Sequence, residues 1–520
     1  MNRFFYKIFI ILFCCLILSA CNIEWNKPDL STPLPSKFDH SSARSSAAIP
    51  PASIFVKKFG SKELHGLVLQ ALTGNFSIAA AAANIKAADA AARVGSSPLW
   101  PSLASNNYAA TYHNPAAMMN YTGQSDFQSK INNQVPYNSG FSQFPTLFPV
   151  SPYHGYYYGI YQSGLSLASY TLDFWGKNED ASYAARLSAN STRFTRDLIE
   201  ITQITSLLQY YIQLLGYMDK LKIINKNVEA YQKIYDTVKI RFEVGSASAF
   251  DVAQQGSSLE QTRAQIPFYK QYIEQTRNYI AILLGRTPES ISIEGGSLDD
   301  LKFPKVDPGL PSEVLLRRPD IAAAEAQLAS QEFSVLNARA QFFPSITINS
   351  FYGPNSYMIW NLLSPTALAA NFMGQATQPI FDGWALLGNY EQQKAIYETT
   401  TANYKLNIVS ALQDVENALI TIKRSSEALA TQKKAVADTQ KAFDLQRMQF
   451  EQGTIDIIAL TFTQNSLISN QINEINYKQM YFLGAAQLYQ ALGGGWTSTT
   501  RDAEIARANA AYSENLGPYP

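Results

Sequence analysis

Apolar residues recur every seven positions in two long stretches of the chain. Leu207, Leu214, Leu221, Val228, Tyr235 and Phe242 make the first run; Val415, Ile422, Leu429, Val436, Phe443 and Phe450 make the second. Each residue of the second run lies 208 positions after its counterpart (415 − 207). Unbroken apolar heptads of this length predict a long helix with a coiled-coil seam. Their return in one phase predicts an internal duplication. A flanking stripe of Ile204, Tyr211 and Met218 gives way to Asn225, Gln232 and Lys239. In the later copy Leu412 and Leu419 give way to Ser426, Lys433, Gln440 and Arg447. Both helices are therefore expected to narrow from two apolar stripes to one, toward the same end. A thin seam suits helices packed side by side around a wet hollow, with a polar face toward water.

Each run stops at a glycine, Gly245 in Val-Gly-Ser and Gly453 in Gln-Gly-Thr, a residue that commonly ends helices in the left-handed conformation. Heptads then resume through Val252, Leu259, Ile266, Ile273 and Ile280, and in the later copy through Leu460, Leu467, Tyr481 and Leu488, with Glu474 interrupting. Each half thus predicts a helical hairpin, with tips near 245 and 453 and arms of about 55 residues, or roughly 80 Å. Pro267 is expected to kink or split the first returning helix at a cost of about 3 kcal/mol; Ile475 stands there in the second.

Shorter stretches between the helices alternate. In Ala367 to Ile380, Leu368, Ala370, Phe372, Gly374 and Ala376 fall on one face and Ala369, Asn371, Met373, Gln375 and Thr377 on the other. Strands are expected at about 101–112 and 156–169 in the first half and about 344–352 and 367–380 in the second. One apolar and one polar face fits a transmembrane β-barrel wall and equally a half-buried strand of a soluble sheet. Trp175 and Trp384, just after the second strand of each pair, fit either an interfacial aromatic girdle or a core position. The first structural repeat is placed at 61–290 and the second at 313–496, joined by a linker at 291–312. Four strands cannot close a barrel, and open edges are not tolerated in lipid. If the strands enter a membrane, the chain must oligomerise.

Composition narrows the picture. The 520 residues carry 41 Lys+Arg against 41 Asp+Glu, a balance that argues against nucleic-acid binding. Charged residues are 16% of the chain, where about 25% is usual. All three cysteines, Cys14, Cys15 and Cys21, lie near the start, so the body has neither disulfide nor cysteine metal site. Arg3 and Lys7 precede an apolar run from Ile8 to Leu18, the length of a signal-peptide core and too short for a membrane span. No other stretch reads as a transmembrane helix. The four histidines form no His-Glu-x-x-His motif, and there is no phosphate-binding Gly-rich Lys loop and no Gly-x-Ser-x-Gly elbow; the chain reads as a non-enzyme.

Leu18-Ser19-Ala20-Cys21 resembles a bacterial lipobox. The resemblance implies a signal peptide over 1–20 and a lipid on Cys21, and Asn22 after it implies the outer membrane. Residues 21–60 then read as a lipidated tether and 497–520 as a flexible tail. Further along, Gly309-Leu310-Pro311-Ser312, Leu315-Leu316-Arg317-Arg318-Pro319-Asp320-Ile321 and Ala338-Arg339-Ala340-Gln341-Phe342-Phe343-Pro344-Ser345 resemble the TolC-like outer-membrane factors, specifically their OprM/NodT lipoprotein branch. So do Leu172-Asp173-Phe174-Trp175-Gly176-Lys177, Arg241-Phe242-Glu243-Val244-Gly245 and Gln449-Phe450-Glu451-Gln452-Gly453. Departures at Asn178-Glu179 and in the loop near 114–153 leave the subfamily open.

The resemblance implies a mainly α fold with a transmembrane β-barrel part, assembled as a homotrimer with an α-helical tunnel. It implies an exit duct for drugs or other small molecules in a Gram-negative outer membrane, fed by a periplasmic adaptor and an inner-membrane transporter, with no cofactor beyond the lipid. Type I protein secretion is the near alternative. A periplasmic adaptor or coiled-coil tether is a rival of another class, against which the doubled repeat speaks. Val244, Gly245, Ser246, Ser248, Gln452, Gly453 and Thr454 become candidates for adaptor docking, or simple helix-end residues. Asp456, with Asp251 as the weaker partner, is the candidate pore constriction, since a ring of carboxylates in a trimer would select cations; the alternative for Asp456 is a plain N-cap.

Overall fold

The computed structural model describes residues 51–114, 156–304 and 309–497, with most positions from 25 to 38 and Ala506. Cys21, the signal segment, the loop near 114–153 beyond Asn114, and the tail beyond Thr497 except Ala506 lie outside the described residues. In chain order the elements are α1 Ala52–Lys57, α2 Lys62–Gly74, α3 Phe76–Ser96, β1 Leu103–Asn114, β2 Tyr156–Leu172, α4 Lys177–Glu243, α5 Ala249–Arg263, α6 Gln265–Leu283, α7 Pro311–Leu315, α8 Pro319–Ala340, β3 Ser345–Ser356, β4 Leu368–Thr377, α9 Ala385–Glu451 and α10 Ile457–Ala491. They divide between two compact units. The described residues of one lie in Gly95–Asp180 and Asn337–Gly388, and those of the other in Glu24–Val94, Ala181–Leu336 and from Asn389 onward.

The first unit is one antiparallel sheet in the order β1-β2-β3-β4. β2 runs past the expected Ser169 to Leu172 because its register against β3 shifts between Leu167 and Tyr170. Such a bulge displaces the alternation by one residue and hides the continuation from a period-two reading. β3 likewise passes through Gly353-Pro354, a turn-like pair, which nevertheless pairs with Ala369 and Leu368. β4 stops at Thr377, short of the expected 380. The register sets Leu165 and Leu172 of β2, Ile346, Ile348 and Tyr352 of β3, and Leu368 and Phe372 of β4 on one face. Gln162, Ser166, Thr347, Asn349, Asn371 and Gln375 share the other, together with Phe351 and Met373. Phe372 is 74% exposed. Large apolar groups left open on one face, with mostly amides and hydroxyls on the other, are the pattern of a barrel wall. Among the described residues no strand pairs with the outer edge of β1 or of β4.

At the base of the sheet, Trp175 is tied down. Its indole N–H donates to the Pro344 carbonyl at 2.9 Å, and its ring stacks on Phe343 at 4.8 Å. Trp384 is 71% exposed, so it is no core residue of this chain, and it has φ of 70°. Asp173 accepts the Asn178 and Glu179 N–H groups at 2.8 Å, and Asp382 accepts the Leu386 N–H at 2.8 Å. Each thus satisfies free donors at the start of a long helix.

α4 and α9, which begin in the first unit and lie mostly in the second, are each 67 residues long, about 100 Å at 1.5 Å per residue and longer than the sequence suggested. Their bounds repeat at the same interval, Lys177 to Ala385 and Glu243 to Glu451, 208 residues apart. The expected stripe holds in α9, where Val415, Phe443 and Phe450 are buried and Ile422, Leu429 and Val436 half-buried. It changes in α4. Leu207 and Leu214 are fully buried, but lower down the buried set is Ile224, Asn227, Tyr231, Ile234 and Val238, while Phe242 is exposed. The seam of α4 turns around the helix instead of narrowing, because lower down it meets new partners: Ile224 and Tyr231 cluster with Leu259 of α5 and Ile468 of α10. The helix break expected from Pro267 falls at Ala264, between α5 and α6. Pro267 has no N–H to give to the Arg263 carbonyl four residues earlier. Its counterpart α10 is continuous.

Lys62–Leu99 is apolar enough by composition to pass as a membrane span, contrary to the sequence reading. It is interrupted at Asn75, whose side chain accepts the Ser77 and Ile78 N–H groups at 2.8 and 3.1 Å. α2 buries Leu64, Leu67, Val68 and Ala71 in the main core. The stretch expected to be a loose tether also feeds that core. Phe38, Phe55, Val56 and Phe59 are buried in it, and Phe55 stacks on Tyr489 at 4.0 Å. Burying one such ring or branched chain contributes about 1.5–3 kcal/mol. The linker is pinned by Glu63, which accepts N–H groups of Glu294 (2.8 Å) and Gly295 (3.1 Å) and the Tyr211 hydroxyl (2.9 Å).

The motif around Arg318 has a structural cause. Its guanidinium is buried and reaches Asp320 at 2.7 Å, Asp414 at 3.1 Å, and the carbonyls of Ala491 (3.0 Å) and Ala411 (3.3 Å). One side chain so joins α8, α9 and the end of α10. Beside it, Gly493 has φ of 86°, and a Cβ there would sit 1.9 Å from the Arg317 carbonyl. Gly285, 208 residues earlier, is held the same way against Gly74.

Replacing Arg318 with Ala should cost about 3 kcal/mol of stability in urea unfolding, and Lys should not rescue it, because only a planar fork serves four acceptors. A pH prediction attaches to Asp180. Burial, then Glu179 and Asp173, push its carboxyl up to about 6. The folded chain then holds a proton that the unfolded one releases near its ordinary value of 3.8. This contribution favours folding below about pH 4 and is lost as pH rises through about 6. Asp180→Asn should flatten that part of the pH dependence of the urea midpoint; an unchanged slope would refute it.

Candidate functional site at the hairpin tips

The two tips are built alike. Gly245 and Gly453 take φ of 79° and 77°. Their N–H groups donate to the Phe242 and Phe450 carbonyls at 2.9 Å. The following N–H groups, of Ser246 and Thr454, donate to Arg241 at 2.7 Å and Gln449 at 3.0 Å. This pair of bonds is a Schellman closure, which needs a left-handed residue. The Ser246 and Thr454 hydroxyls donate to the same two carbonyls at 3.1 and 2.9 Å. Val244 is 73% exposed, and Gln452 and Gly453 are exposed beside it.

The return helices start differently. Ser248 caps α5 in a reciprocal box: its hydroxyl accepts the Asp251 N–H at 3.2 Å, and Asp251 accepts the Ser248 N–H at 2.8 Å. Asp456 caps α10, accepting the Ala459 N–H at 2.9 Å. Asp456 therefore corresponds to Ser248, 208 residues earlier, and Asp251 corresponds to Ala459. Both carboxylates are engaged as helix starts, and Asp456 is also exposed.

A cavity of about 520 Å³ lies between the tips, and it brings Ser246, Asp251, Gln452, Gly453 and Asp456 together. Arg241 crosses it. One guanidinium nitrogen donates to the carbonyls of Phe450 (2.7 Å) and Glu451 (3.1 Å), and the group lies 4.4 Å from the Phe450 ring centroid. A cation at the C-terminal carbonyls of a helix complements their partial negative charge. Sequence reasoning quoted Arg241 only within a motif. Its signal was available, since the repeat places Gln449 at the matching position. Phe250, Ile458 and Phe462 were also missed; they are 62%, 54% and 74% exposed.

The outer membrane efflux protein family matches this chain over residues 67–286 and 310–494. The chain belongs to that family. Among curated proteins, the pyoverdine export outer membrane protein OpmQ of Pseudomonas aeruginosa is 28% identical over 486 residues, 93% of this chain and 96% of OpmQ. The probable outer membrane lipoprotein SilC of Salmonella typhimurium is 29% identical over 340 residues, 65% of this chain and 73% of SilC. The fold is that of the Campylobacter jejuni CmeC outer membrane channel, with a TM-score of 0.78 and 19% identity, covering 93% of this chain and 98% of that one. This efflux protein is thus an outer-membrane transport component built on the fold of known channels.

Because Asp456 caps a helix, charge and cap can be separated. Asp456→Ala should lower stability by about 1 kcal/mol, while Asp456→Asn, an equally good cap, should leave the unfolding midpoint within experimental error. Equal losses in the two variants would mean that the carboxylate charge, not the cap, matters for folding.

Proposed function

We propose that this efflux protein is the exit duct of a tripartite system. Three copies would close a twelve-stranded barrel, four strands from each, and their hairpins would form the periplasmic tunnel. A periplasmic adaptor would dock at the tips, at Val244, Gly245, Ser246, Ser248, Gln452, Gly453 and Thr454, and an inner-membrane transporter would supply the energy. The cargo would be small molecules. The observation that carries this reading is the sheet: large apolar groups exposed on one face and, among the described residues, no strand on the outer edge of β1 or β4, in a chain that also carries two helices of about 100 Å each. A compound exported through the nearly full-length relative OpmQ, pyoverdine by its name, supports a small-molecule cargo. Cys21 would carry the lipid, a reading supported by the name of SilC. Asp456 would ring the periplasmic constriction with three carboxylates while capping its helix, with Asp251 as a lesser contributor.

Purified protein in planar bilayers should give discrete single-channel currents; a tether or an adaptor would give none. Asp456→Asn should lower cation preference by about twofold or more at low salt, where charges are least screened. Unchanged selectivity and resting conductance would sink the constriction role of Asp456 and leave the duct standing.

A further inference from the structure

The two returning helices are seated in different ways. α10 is bridged to α4 and α9 by polar groups that find partners. The Tyr231 hydroxyl donates to Asn465 at 2.7 Å, the Asn227 amide to Gln471 at 3.4 Å, and the Gln432 amide of α9 to Asn470 at 3.0 Å. At the tips, Arg241 binds the end of α4 to the end of α9.

α5 is seated on a seam that is polar and incompletely paired. Its buried residues are Gln255, Ser258, Leu259 and Thr262, three of them polar. Gln255 meets α10 at Thr461, whose hydroxyl lies 3.0 Å from Gln255 Oε1 and 2.8 Å from the Ile457 carbonyl. One hydroxyl proton thus serves two acceptors. Gln464 follows Thr461 by one turn on the buried face of α10. Gln255 and Gln464 are both 0% exposed. Gln255 Nε2 and both amide atoms of Gln464 meet no partner among the described residues. Buried polar groups are nearly always paired, and an unpaired amide gives up its hydration without return. The seam therefore holds a spare donor on α5 and a spare acceptor on α10. Apolar packing flanks it, with Val252 against the cluster nearer the tips and Leu259 in the next one. Neither end of α5 runs on into regular helix. The tip turn precedes it, and the interruption at Ala264 follows, where Pro267 brings no N–H to the Arg263 carbonyl.

We propose that α5, a rod of 15 residues and about 22 Å, is a movable stave that slides on α10 across the Gln255–Gln464 seam and pivots at Ala264. α4, α9 and α10 stay joined by their bridges while it moves. A slide that lets the Gln255 amide donate to Gln464 gains a hydrogen bond that the seated arrangement lacks, so the two arrangements lie close in free energy. In the duct, this motion widens or narrows the passage at the tips; that part rests on the exit-duct reading above, and the motion itself does not.

Hydrogen exchange on the full-length protein in detergent micelles tests the stave. Amides of 252–263 in α5 should exchange at least tenfold faster than those of 458–469 in α10. Gln255→Met with Gln464→Met keeps the volume nearly constant and removes the unpaired amides. It should slow exchange in α5 about tenfold, leave α10 unchanged and raise the urea midpoint. Equal protection of the two helices in the unaltered protein would overturn the stave, whether or not the double variant folds. A lowered midpoint in a folded variant would show that the amides are bonded and would overturn the joint. In planar bilayers the double variant should open severalfold less often than the unaltered protein. Unchanged openings with slowed exchange would overturn the role in transport and keep the stave. An absence of currents from both proteins would refute the duct and leave the exchange result to decide the stave.

Discussion

A strand edge in hydrocarbon leaves N–H and C=O groups with no partner, at several kcal/mol for each group. The other features of this efflux protein can be ordered around that constraint. Its four strands pair among themselves and present an apolar face, yet the outer edges of β1 and β4 find no strand within the described chain. A single copy therefore cannot be the functional object in a membrane. The half-buried heptads of α9 point the same way: Ile422, Leu429 and Val436 are only partly covered by their own chain. A seam of this kind is stable when other helices complete it.

The duplication supplies a frame, and departures from it mark where the halves do different work. Helix bounds and the tip closures repeat at one interval, as do the glycines at 285 and 493. These are demands of backbone geometry, and both copies must meet them. Arg241 stands against Gln449, Asp456 against Ser248 and Pro267 against Ile475. The first ties one hairpin to the end of the other. The last splits one returning helix and leaves its counterpart whole. The two hairpins are thus alike in path and unlike in helix continuity and charge.

Much of this was legible in the sequence because it follows from period and punctuation. Heptads located both long helices, glycines located both tips, and Pro267 located the break. What was hidden depends on tertiary facts. The β2 bulge shifts the alternation, so a period-two reading ends early. The lower seam of α4 turns to Ile224, Tyr231 and Val238 because its partners there, such as Leu259, Ile468 and Phe443, come from other helices. Arg318 was quoted as a motif, but its role depends on Asp414, Ala411 and Ala491, which lie 93 to 173 residues away. Trp25 and Phe38 sit in a Pro- and Ser-rich stretch that reads as linker, and only their partners show that it is fastened.

At the tips, one residue can satisfy folding while its charge stays exposed. A helix start needs a side-chain oxygen, and Ser, Asn and Asp supply it about equally. Ser248 and Asp456 fill the same place in the two copies, so folding alone does not require the carboxylate at 456. A negative charge there is favourable toward the first turn of α10 by the helix dipole, a few tenths of a kcal/mol when exposed. At Asp251 the balance differs, because its carboxylate is committed to the reciprocal box with Ser248. Of the two acids, Asp456 is therefore the one whose charge can be changed at least cost to the fold, and the one whose identity is least explained by capping.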